Sequence, residues 1–106
     1  MPDQKKTRRQ MLEELAAKQP NDAFTRYGLA MECMNSGDAA AADTHFRALL
    51  QGNSGYVPAY LMYAQFLARE FRGAEAKQVL ASGIAAASEK GDSHARSEME
   101  ALLDEL

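Results

Sequence analysis

The sequence predicts an all-α protein of about six helices, and three observations support this prediction. Alanine, glutamate, leucine, methionine, lysine and glutamine, which favour helices, are abundant. No window alternates apolar and polar residues for long, as a half-buried strand would. The three prolines, at positions 2, 20 and 58, precede or open segments with helical apolar spacing, where proline is tolerated.

Breakers and capping residues delimit three helices in the first half of the chain. Pro20 ends the first helix, and Asn21 or Asp22 caps the second. Asp38 begins the third helix, where the positive end of the helix dipole stabilises its carboxylate. The predicted helices are residues 3–18, about 21–35 and 38–51. The apolar face of the first helix consists of Met11, Leu12, Leu15 and Ala16.

Three further helices are predicted in the second half. Glycine, asparagine and serine between Gln51 and Tyr56 indicate the longest loop. A tight turn at Arg72 and Gly73 makes the fourth and fifth helices antiparallel neighbours. The predicted helices are residues 57–71, about 73–88, and from 92 or 93 to the end. The last carries an apolar stripe of Ala95, Met99, Leu102, Leu103 and Leu106 opposite an acidic face.

Composition and charge narrow the classes of function. The 106 residues fit one domain, and the net charge of -3 disfavours a chain drawn as a whole to nucleic acid or anionic lipid. Only Lys5, Lys6, Arg8 and Arg9 form a basic cluster, and a solvated helix face is favoured over a nucleic-acid contact as its explanation. The single cysteine, Cys33, fits a reducing compartment, and no window has the length of a membrane span. We therefore expect a soluble, cytoplasmic protein.

The second half of the chain repeats the first at a spacing of 34 residues. Such a period is typical of helix-turn-helix repeats. Small residues at Ala64, Ala76 and Gly83 of the second copy would let helices approach closely. The aligned pairs are Leu29 with Tyr63, Ala30 with Ala64, Cys33 with Leu67, Ala42 with Ala76, Phe46 with Leu80, and Leu50 with Ile84.

These positions resemble the tetratricopeptide repeat (TPR) family, in the form of a small bacterial-type two-repeat protein. Arg26 departs from the family pattern, which usually has tryptophan there. The resemblance implies antiparallel helix pairs stacked as a short right-handed superhelix, with capping helices at both ends. Within a single domain, 1–106, it implies a half-repeat at 3–20, repeats at about 23–56 and 57–90, and a capping helix at 91–106.

The resemblance also implies a function: an adaptor or scaffold that binds a peptide or helix of another protein on its concave face. Tyr27 and Met31 stand where a carboxylate-clamp subset has lysine and asparagine, so that mode is disfavoured. The N-terminal helix or a symmetric dimer could instead bury the apolar stripe, because large exposed apolar patches are rare on monomers. The expected binding residues are Phe24, Tyr27, Met31, Met34, Asn35, Leu61, Gln65 and Arg69.

No pattern in the sequence indicates catalysis. His45 and His94 are isolated from each other and from Cys33, so no metal-ligand spacing is present. Phosphate-binding loops and nucleophile motifs are also missing, and we expect no enzyme activity, metal or cofactor. Three alternatives to an adaptor remain: a homodimerising structural module, a non-catalytic regulatory subunit and, disfavoured, nucleic-acid binding through the basic cluster.

Overall fold

The computed structural model describes residues 6–106 and has six α-helices and no strand in that range, which confirms the all-α class. Contacts divide the chain into two compact units, a first that ends at Leu49 and a second that begins at Leu50. The helices are α1 Arg8–Lys18, α2 Ala23–Asn35, α3 Ala39–Gly52, α4 Val57–Arg69, α5 Gly73–Lys90 and α6 Ser93–Glu105. Except for the start of α1, the predicted bounds are correct to within two residues. The predicted repeat boundaries and superhelical stacking stay predictions.

Helix α1 begins at Arg8, so the predicted start near residue 3 is wrong. The backbone N–H of Gln10 donates to Thr7 Oγ1 at 3.1 Å, and the backbone N–H of Thr7 donates to Gln10 Oε1 at 2.9 Å. This reciprocal pair is a capping box, in which the extended backbone of Thr7 begins the helix. Residues 3–5 of the predicted helix lie outside the described residues.

Two aspartates stand at the starts of α2 and α3, but only one caps its helix through its side chain. Asp22 occupies the N-cap position of α2, yet its carboxylate accepts a hydrogen bond from the Thr25 hydroxyl and none from a helix N–H. Asp38 behaves as predicted, because its Oδ1 accepts from the backbone N–H of Ala41 at 3.2 Å. That bond and one from Arg9 to Oδ2 at 3.0 Å lower the pKa of Asp38.

In the first unit, α1 packs on α2 where α2 lacks a side chain. A Cβ added at Gly28 would lie 3.4 Å from Leu12 Cδ2. One turn further along, Arg8 Nε pairs with a Glu32 carboxylate oxygen at 3.2 Å. These two contacts define an antiparallel hairpin. The buried side chains of the first unit are Ala16, Thr25, Leu29, Ala30, Cys33, Ala42, Phe46 and Leu49.

Three helix ends close on a residue in the left-handed backbone conformation. These residues are Gly37, Phe71 and Gly91, with φ of 83°, 59° and 70°. At each end, the left-handed residue and the one after it donate backbone hydrogen bonds to carbonyls three and five residues earlier, at 2.8–3.3 Å. This is the Schellman pattern, which favours glycine because glycine has no Cβ. At Phe71 it ends α4 two residues before the predicted end.

In the second unit, α4 packs on both α5 and α6, and α5 packs on α6. A Cβ built at Gly83 would lie 2.5 Å from Met99 Sδ and 2.5 Å from Tyr60 Cβ, so the three helices meet where this residue has no side chain. The expectation of close approach at small residues is therefore correct for Gly83. The buried residues of the second unit are Val57, Ala59, Tyr60, Tyr63, Ala64, Phe66, Leu67, Ala76, Leu80, Gly83, Ala87 and Met99.

The loop before α4 is anchored to the second unit. The Tyr60 hydroxyl donates a hydrogen bond to the Ser54 carbonyl at 2.5 Å, and burial raises the pKa of Tyr60. The Lys90 side chain lies against Gly55, with Cε 3.1 Å from the place a Cβ would occupy. The loop between α3 and α4 is therefore held by one side chain from α4 and one from α5.

Replacement of Gly83 by alanine is expected to destabilise the protein by about 1–3 kcal/mol, because the added methyl group overpacks the junction of α4, α5 and α6. The higher helix propensity of alanine, worth about 1 kcal/mol, opposes this loss. Urea unfolding followed by circular dichroism measures the difference. Gly52→Ala is the matched control, since an added Cβ there meets no atom within 4 Å. A Gly83→Ala protein as stable as the wild type would contradict the close approach.

Candidate functional site

The predicted binding residues of α2 lie along its less buried flank. Phe24 is 74% exposed, and Asn35 is also exposed, whereas Tyr27, Met31 and Met34 are half-buried. The explanation that the N-terminal helix buries the whole stripe is therefore wrong for Phe24. Binding through these five residues stays a prediction.

This flank of α2 faces away from α3. On the other side of α2, Arg26 Nη1 lies 3.2 Å from Nδ1 of His45 in α3, so the residue that replaces the family's tryptophan contacts the next helix. A step of 100° per residue places Phe24 and Met31 roughly opposite Arg26 around the helix axis. Both apolar side chains are thus directed away from the helix that covers the Arg26 side.

Helix α1 adds apolar side chains to the same side of the hairpin. Met11 is 49% exposed and Leu15 is 47% exposed, so the predicted apolar face of α1 is only partly buried. Both lie across α1 from Arg9, which pairs with Asp38 at the start of α3. Sequence reasoning assigned these two residues no binding role. We use the term hairpin surface for Met11, Leu15, Phe24 and Met31.

The remaining predicted binding residues lie on α4, in the second unit. Leu61 is half-buried, and Gln65 and Arg69 are exposed. Their four-residue spacing puts them on one side of the helix, and most other positions of α4 are buried. The predicted stripe is therefore the accessible side of α4, but its role in binding stays a prediction.

The N-terminal basic cluster is largely paired with carboxylates of the chain itself. Three of its four members lie within the described range, and each of these forms an ion pair; Lys5 lies outside that range. Because its cations face the protein's own acids, the cluster offers less free charge to a phosphate backbone than its sequence suggests. The pairs are Lys6 with Glu14 at 2.7 Å, Arg8 with Glu32 at 3.2 Å, and Arg9 with Asp38 at 3.0 Å and Glu13 at 3.3 Å.

The groups that could take part in chemistry are dispersed or buried. Cys33 is fully buried, and burial raises the pKa of its thiol, which disfavours the reactive thiolate. His94 is exposed beside Glu98, with 3.2 Å between Nε2 and a carboxylate oxygen. Within residues 6–106, no three histidine, cysteine, aspartate or glutamate residues are grouped so that they could hold a metal ion. None of the helices in that range has the length and apolar character to cross a membrane.

Comparison with known proteins shows two similarities that extend over most of the chain. The chain is 31% identical over 97 residues to a Pseudomonas aeruginosa protein named as TPR repeat-containing, and the match covers 90% of each chain. It also resembles a Bordetella parapertussis protein with a solution structure, at a TM-score of 0.80 and 26% identity. That match covers 95% of this chain and 88% of the other. No family model matches the sequence.

Acidification is expected to destabilise the first unit through His45. Burial, Arg26 and Arg9 lower the pKa of His45, and they outweigh Glu13 and Asp38, which raise it. Neutral His45 can accept a hydrogen bond from Arg26, whereas the protonated ring cannot. The folded chain therefore binds fewer protons than the unfolded chain. Stability is fully present above the unfolded pKa of about 6.5 and is lost as the pH falls toward the lower folded value.

Urea unfolding at pH 7.5 and at pH 5 measures this effect. We expect His45→Gln to reduce the loss of stability between the two pH values, because glutamine does not titrate. His94→Gln is the matched control, since it makes the same substitution at the other histidine of the sequence, which is exposed. An unchanged pH dependence in His45→Gln would show that the Arg26 contact has no part in it.

Proposed function

The chain belongs to the tetratricopeptide repeat family, and from this premise we propose that it is an adaptor that binds a helix or peptide of a partner protein. Repeat proteins of this kind commonly offer extended binding surfaces to other proteins. The observation that carries the proposal is the exposure of Phe24, 74% of whose surface remains in contact with water on α2.

The chemistry of the hairpin surface suits an apolar partner segment. Burial of apolar surface contributes about 25 cal/mol per Å², so an exposed phenylalanine gains from being covered. The same surface includes Met11 and Met31, whose flexible, polarisable side chains can adapt to the shape of a partner. An amphipathic helix with apolar residues three or four positions apart can lie along such a surface.

The proposed binding residues include further positions on α2 in the first unit and, separately, positions on α4 in the second unit. The polar side chains among them, Asn35, Gln65 and Arg69, can form hydrogen bonds to a partner. We place the protein in the cytoplasm and assign it no catalytic group or cofactor. The full set is Phe24, Tyr27, Met31, Met34, Asn35, Leu61, Gln65 and Arg69.

Phe24→Ser tests this proposal directly. We expect binding of a partner purified with the wild-type chain to weaken at least about tenfold, because interface aromatics often contribute about 2 kcal/mol or more. Stability should change by only about 0.5 kcal/mol, since Phe24 is mostly exposed. Isothermal titration calorimetry and urea unfolding measure the two quantities.

Gln78→Ala, at an exposed position of α5, is the matched control and should bind the partner as the wild type does. Light scattering over a concentration series checks self-association in the same samples. A monomeric wild type that loses its partner on Phe24→Ser supports the adaptor. A dimer that Phe24→Ser dissociates would instead identify a second copy of the chain as the partner and contradict the proposal.

A further inference from the structure

Phe71 occupies a position where the fold favours glycine. It closes α4 in the left-handed conformation, with a φ of 59°. Gly37 lies 34 residues earlier and closes α2 with the same pair of backbone hydrogen bonds. The two residues are therefore equivalent positions of the repeat, one filled by glycine and the other by an aromatic residue.

Side-chain packing against the described residues does not compensate for phenylalanine at this position. A left-handed backbone crowds the Cβ of any residue other than glycine, and a bulky residue there is uncommon. Side-chain packing could offset this cost, but Phe71 is 97% exposed. Backbone conformation and hydration therefore both disfavour it in the isolated chain.

We propose that Phe71 is a binding anchor that enters an apolar pocket of a different protein. Phe71 is not a member of the hairpin surface, because it belongs to the turn between α4 and α5 in the second unit. Aromatic side chains that fill a partner's pocket are among the strongest contributors to protein interfaces. Backbone strain held at one exposed residue is a known mark of functional positions.

The turn presents Phe71 rigidly. Two backbone hydrogen bonds close it, at 3.1 Å from the N–H of Phe71 and 2.8 Å from the N–H of Arg72. Arg72 also makes two side-chain hydrogen bonds to Glu75, at 2.9 and 2.8 Å. A side chain on a preformed turn loses little conformational freedom on binding, which favours affinity.

The size and charge of this turn indicate the kind of partner. A buried aromatic covers about 150–250 Å², whereas a stable dimer needs about 800 Å² from each partner. A small convex turn therefore cannot form a symmetric dimer alone, and it fits a concave pocket. Arg69 and Glu70 are exposed beside it. The matching pocket is apolar, with one acidic and one basic group at its rim.

Photocrosslinking in cells of the source organism tests the inference. Phe71 is replaced by photoreactive benzoylphenylalanine, and the same replacement at exposed Glu89 is the control. We expect an adduct from position 71 alone to one other protein, mapped to an apolar pocket. An adduct to a second copy of this chain, or none above the Glu89 control, would overturn the proposal.

Two substitutions then separate binding from backbone strain, with the cross-linked protein purified as the probe. Both Phe71→Gly and Phe71→Ala should weaken its binding at least tenfold. Only Phe71→Gly should raise the urea midpoint, because glycine relieves the left-handed strain. Unchanged binding by either variant would refute the anchor. Phe24→Ser should keep this affinity, so failure of the anchor and failure of the hairpin surface are distinguishable.

Discussion

The close approach of α4, α5 and α6 at Gly83 determines how the second unit presents its surface. Because Met99 and Tyr60 occupy the space of a missing side chain, α4 lies tightly against both neighbours. Tyr60 continues this contact outward by holding the carbonyl of Ser54. With its other sides buried, α4 can offer only the stripe that contains Gln65 to a ligand. The side of α4 that is available for binding is thus the side that core packing leaves exposed.

The helices could be predicted because their signals are local. Apolar spacing and breaker residues identified all six, and Asp38 was recognised as a residue suited to the start of α3. The start of α1 was misplaced although Thr7 and Gln10 have the spacing of a capping box, which is visible in the sequence. The end of α4 was harder, because phenylalanine has no preference for the left-handed conformation. Only the alignment of Phe71 with Gly37 indicates that α4 ends there in the left-handed conformation.

The candidate binding residues could be placed on helix faces, but their exposure could not. Met11 and Leu15 belong to the same apolar pattern as Leu12 and Ala16, yet α2 covers only one edge of that face. The register of the antiparallel hairpin determines which edge α2 covers. This register depends on both helices together, so the apolar pattern of α1 alone does not predict it. The family frame identified the flank of α2 that includes Phe24, while the contribution of α1 required the packed structure.

The burial of Cys33 makes the chain its own reporter of local opening. It is the only cysteine, it has no accessible surface, and it belongs to the first unit. An alkylating reagent can reach this thiol only when α2 separates from its neighbours, so the modification rate reads the frequency of that event. The second unit has no thiol, so its opening does not contribute to the modification rate. The local opening of the first unit can therefore be measured without an added label.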